Sequence, residues 1–89
     1  MKRVKVVKFY PYEVPLKRGA VLAYFDVLLY DSVLVKGVKL MKNAYGGLFV
    51  SMPSLQTEKG SVQVVEITDR ELLEEIRRTL VDYYREKTQ

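Results

Sequence analysis

Ala20-Val21-Leu22-Ala23-Tyr24-Phe25-Asp26-Val27-Leu28-Leu29-Tyr30 is the most apolar stretch of this 89-residue chain, and its reading decides the fold. It is broken by Asp26 and is well short of the roughly 20 apolar residues that a membrane-spanning helix needs. Read as a strand, strict alternation puts Val21, Ala23, Phe25, Val27 and Leu29 on one face and Ala20, Leu22, Tyr24, Leu28 and Tyr30 on the other. Both faces are apolar, so both require cover.

Working outward, Val4 to Tyr10 mixes Lys with Val and Phe at near-alternate positions, as a half-buried strand does. Pro11 and Pro15 close it, and Tyr12 to Gly19 reads as a loop. On the other side, Asp31-Ser32 is a turn, and Val33 to Lys42 forms a third strand with Gly37 at a bulge or close approach. Asn43 to Gly47 reads as a hairpin loop, because glycine and asparagine tolerate the positive φ of tight turns. Leu48 to Met52 returns as a short strand ended by Pro53, a polar connection covers Ser54 to Gly60, and Ser61 to Glu66 is the last strand.

A helix follows. Thr68 and Glu71 have capping-box spacing, and Ile67 with Leu72 have that of a hydrophobic staple. Leu73, Ile76, Leu80, Tyr83 and Tyr84 make one apolar stripe, while Glu74 and Arg78 can pair across a turn. The expectation is a single two-layer α+β domain over residues 1–89: an antiparallel meander of about five strands with one C-terminal α-helix.

Five strands about 4.8 Å apart span roughly 24 Å, whereas a helix with its side chains is about 10 to 12 Å wide. One helix cannot cover such a sheet. A domain of this length also removes only about 60 to 65 % of its unfolded surface from water. Both considerations predict a homodimer, with a second copy covering the surplus apolar surface.

Cysteine and histidine are absent, which removes disulfides, thiolate nucleophiles, zinc fingers and the side chain most often used as a base near neutral pH. There is no G-x-x-x-x-G-K-[ST], S-x-x-K or G-x-S-x-G motif. Paired carboxylates such as Glu71 and Glu75 occur only along the helix, facing water. We therefore expect no enzyme, no cofactor and no metal. Met1-Lys2-Arg3 is not followed by an uninterrupted apolar segment, so the reading is a cytoplasmic protein with no membrane partner.

Net charge is +4, unevenly spread: residues 1–60 carry a balance of +6 and residues 61–89 one of −2. A phosphate backbone would be drawn to the first part. Lys17 and Arg18 lie in the predicted loop, Lys36, Lys39 and Lys42 along the third strand, and Lys59 in a later turn. These six are the candidate nucleic-acid contacts. Alternation separates Lys39 from Lys36 and Lys42 unless a bulge at Gly37 shifts the register. Edge lysines that discourage strand aggregation are the competing reading. Tyr10, Tyr12, Tyr24, Tyr30 and Tyr45 are candidates for stacking on unpaired bases, or for ordinary packing.

Gly47-Leu48-Phe49-Val50-Ser51-Met52-Pro53-Ser54, followed by Thr57 and Gly60, resembles the signature of the stage V sporulation protein G (SpoVG) family. The resemblance extends to a Val-rich first strand at Val4 to Phe9, a second strand from Val21 to Asp31, a third from Val35 to Leu40, and a helix from Leu72 to Tyr84. It implies an α+β dimer and a site-specific DNA- and RNA-binding regulator of the kind first associated with sporulation and septum formation. The chain departs from the family pattern at Leu55-Gln56, where basic residues are usual, and at Val64, Val65 and Glu66, where an Asp and a His-Pro or similar pair are expected. The alternative is a non-enzymatic module that binds a division or regulatory protein through a free sheet edge or the acidic helix residues Glu71, Glu74, Glu75, Asp82 and Glu86.

Overall fold

The apolar stretch forms the inner strand of an antiparallel sheet. The computed structural model describes residues 3–88. In chain order the elements are β1 (Val4–Leu16), β2 (Gly19–Leu29), β3 (Val33–Asn43), β4 (Leu48–Ser51), β5 (Ser54–Thr57), β6 (Gly60–Gln63) and α1 (Arg70–Thr88). β1 to β4 make one four-stranded meander in sequence order, and β5 and β6 form a separate two-stranded hairpin. The architecture is α+β, as expected, but the main sheet has four strands instead of five. The connection predicted over Ser54 to Gly60 is itself half of the hairpin, and the predicted last strand pairs only with it.

β1 runs through Pro11 and Pro15 to Leu16, so the predicted loop shrinks to a turn at Lys17 and Arg18. Proline withholds a donor, which an edge strand tolerates on its free side; β1 is such an edge. At the turn, an added Cβ on Gly19 would sit 1.9 Å from the carbonyl oxygen of Lys42. Only glycine lets β2 start that close to β3.

Four bulges break strict alternation. The register gains one residue in β1 between Val6 and Lys8 and another between Pro11 and Val14. It gains one in β2 at Leu22 and one in β3 at Gly37, the latter with φ +82°. The bulge at Leu22 redistributes the faces of β2. Ala20 and Leu22 join Ala23, Phe25, Val27 and Leu29 in the core, and Val21 is buried outside that cluster. The predicted assignment of Ala20, Leu22 and Val21 is thereby corrected, because a bulge turns two successive side chains to the same side.

The helix covers this face. Leu72, Ile76 and Leu80 recur every four residues and are buried with Val81, while Leu73, Tyr83 and Tyr84 flank them. Tyr83 meets Phe9 and Phe25, with ring centroids 5.4 and 6.0 Å away. The helix starts on Asp69 instead of Thr68: its Oδ1 accepts hydrogen bonds from the backbone N–H of Glu71 (2.9 Å) and Leu72 (3.3 Å). Arg3 donates to Glu75 from both Nε (2.9 Å) and a terminal nitrogen (2.6 Å), tying the chain start to the helix; this contact raises the pKa of the guanidinium. Glu74 pairs with Arg77, not with Arg78, and that hydrogen bond holds its carboxyl below its ordinary range.

Candidate nucleic-acid interface

Because Phe25 faces the helix, its neighbours Tyr24 and Asp26 lie on the opposite, open face of the sheet. The register then assigns residues to that face row by row. Asp26 lies between Lys8 on β1 and Lys36 on β3, and Tyr24 lies between Tyr10 and Lys39. Without the bulge at Gly37, Lys36 and Lys39 would sit on opposite faces; with it they share one. The bulge at Val7 acts likewise on β1. It sends Phe9 to the helix side with Val4 and Val6 and leaves Lys8 on the open side with Lys5.

Asp26 anchors this arrangement. It is 8 % exposed, and its Oδ1 accepts a hydrogen bond of 3.2 Å from the backbone N–H of Gly37. A buried carboxylate needs such a donor, and the bulged glycine presents one. Lys8 and Lys36 are exposed and Lys39 is half-buried. None of the three belongs to an ion pair among the described residues. Lys8 and Lys36 therefore flank Asp26 in one row of this face, and Lys39 stands in the next.

The other predicted contacts fall elsewhere. Lys42 lies in the row of Ala20 and Leu48, on the helix side. Lys17 and Arg18 are exposed in the β1–β2 turn, and Lys59 is exposed in the turn of the β5–β6 hairpin. Of the six candidates, only Lys36 and Lys39 share a face of the main sheet. Lys8 was missed, because its sequence spacing from Val4 and Val6 reads as the buried side until the bulge at Val7 is known. A cleft of about 370 Å³ lies on the helix side and is lined by Gly46, Gly47, Arg77, Arg78, Asp82 and Arg85, among others. There Asp82 and the Glu74–Arg77 pair offset part of the positive charge.

The SpoVG family model matches residues 1–86. The chain belongs to the SpoVG family. Neither a curated protein nor a solved structure matches it significantly. SpoVG membership points to a regulator related to sporulation and septation. The signature that carried the resemblance is structural in this SpoVG chain. Met52 is buried in the core, Leu48 and Val50 pack against it, and β4 ends before Pro53. Among the described residues, no helix is long and apolar enough to cross a membrane.

Proposed function

We propose that this SpoVG-family chain is a non-enzymatic regulator that binds nucleic acid through the open face of its sheet, and that it works as a homodimer. The observation that supports the reading is the bulge at Gly37, which gathers Lys36 and Lys39 beside Lys8, with no competing ion pair among the described residues. Phosphate contacts from lysines fix a strand in place and make affinity fall steeply with salt. The departure at Leu55-Gln56 is compatible with this placement: it leaves those two hairpin positions without a cation, whereas the sheet keeps its own.

The acidic helix surface supports the alternative, a protein-binding module, less well. Glu75 is engaged by Arg3 and Glu74 by Arg77, leaving Glu71, Asp82 and Glu86 of the five candidate carboxylates.

The test compares two paired charge reversals by titration of a labelled DNA duplex between about 50 and 200 mM salt. Lys36→Glu with Lys39→Glu should weaken binding by at least about tenfold and lower the slope of log affinity against log salt by about 2. Arg78→Glu with Arg85→Glu, on the helix side, should change neither by as much. The reverse ranking would move the interface to the helix, and no binding by the unmodified protein at low salt would favour the protein-binding module.

A further inference from the structure

Beside the lysines lies an apolar cleft of about 550 Å³, lined by Phe9, Tyr10, Pro11, Tyr12, Tyr24 and Gly37. Its volume falls in the range of about 300 to 1,000 Å³ usual for small-molecule sites. The tyrosines are held by the strands. Tyr10 is the register partner of Tyr24, and the second bulge of β1, between Pro11 and Val14, carries Tyr12 to within 6.5 Å of the Tyr24 ring, centroid to centroid. Tyr10 and Tyr12 nevertheless remain 46 % and 63 % exposed. Gly37 lines the cleft, and a Cβ added there would meet no protein atom within 4 Å.

Aromatic rings exposed beside unpaired cations match a ligand that is flat and apolar on its faces and carries negative charge along its connections. Lys39 is the register partner of Tyr24, and Lys8 and Lys36 occupy the next row. A second copy of the chain laid on the same face about a two-fold axis would bring two sets of these lysines into one interface, which like charge opposes. A duplex keeps its bases stacked and paired, so it would offer this face phosphates and groove edges but no open π face.

Resting on the functional reading above, we propose that the cleft takes an unpaired base of a single-stranded nucleic acid, stacked against Tyr10, Tyr12 and Tyr24, while Lys8, Lys36 and Lys39 hold the flanking phosphates. The chain then favours single strands over duplexes. Base stacking does not depend on sequence, because every base has a π face. The tyrosine hydroxyls are not needed for it, so phenylalanine substitutes.

The experiment titrates full-length protein with labelled oligothymidylate and oligouridylate, which stay unpaired, and with a DNA duplex. Tyr12→Ala should weaken binding to the single strands by about 5- to 100-fold and leave duplex affinity within about twofold. Tyr12→Phe should keep the single-strand affinity. Oligothymidylate against oligouridylate reports whether the cleft accepts DNA, RNA or both, and either preference is compatible with stacking. If Tyr12→Ala combined with Tyr10→Ala leaves single-strand affinity unchanged while Lys36→Glu with Lys39→Glu abolishes it, the face binds nucleic acid but the cleft is not a base site. If neither pair matters, the functional reading falls with it. If the double alanine variant instead converts a dimer to a monomer in sedimentation, the cleft is covered by a second copy and the base assignment is overturned.

Discussion

Asp26 and Gly37 together set which side chains the open face presents. The carboxylate is nearly buried, and its hydrogen bond from the Gly37 N–H satisfies a donor that the bulge would otherwise leave unpaired. Removing one partner of a buried hydrogen bond costs about 1 to 3 kcal/mol. Asp26→Ala should therefore lower the unfolding free energy by about that amount in urea denaturation; a loss below about 0.5 kcal/mol would mean that the bulge is held by the strands alone. Residue identity alone indicated part of this pairing. A glycine inside an apolar strand marks a bulge, and Gly37 is one. The bulges at Val7 and Leu22 left no such mark, because residues with ordinary β propensity occupy both positions. Lys8 was missed, and Ala20, Val21 and Leu22 were misplaced, for that reason.

Among the elements, the helix was the most legible and its first turn the least. Thr68-x-x-Glu71 has capping-box spacing, but the adjacent Asp69 also fits an N-cap and supplies the acceptor for two backbone N–H groups. A carboxylate gains further from the positive end of the helix dipole. Asp69→Ala should cost about 0.5 to 2 kcal/mol, and Thr68→Ala less than about 0.5 kcal/mol, both read from denaturant midpoints at unchanged m. Equal losses would return the cap to Thr68. The apolar stripe was read from period alone, and Ile76 and Leu80 are indeed among the most buried side chains. β1 was cut short because proline normally ends a strand, and only its edge position, which depends on the whole topology, permits Pro11 and Pro15 to stay in it. β6 overlaps the strand predicted over Ser61 to Glu66, but β5 was hidden: four mostly polar residues carry too little alternation to be recognised.

At the scale of the whole molecule, the sheet has one face covered by its helix and one left open, and the β5–β6 hairpin exposes its facing pair Leu55 and Val62 together with Val64. An isolated two-stranded hairpin is marginal in water, so in the proposed homodimer these apolar residues would seat the second copy. Sedimentation should find a dimer at micromolar concentration, and Leu55→Glu with Val62→Glu should convert it to a monomer; a folded monomer of the unmodified chain would refute the assembly. The four-stranded sheet needs less cover than the predicted five-stranded one, so the case for a dimer now rests on the hairpin more than on the width of the sheet. The most direct test of the central claim, that the open face is the nucleic-acid surface, is a titration of isotope-labelled protein with oligothymidylate followed by amide chemical shifts. The account predicts that the largest changes map to Lys8 through Tyr12, to Tyr24 and to Lys36 through Lys39. Changes confined to Arg77 through Arg85 and the Gly46–Gly47 turn would contradict it.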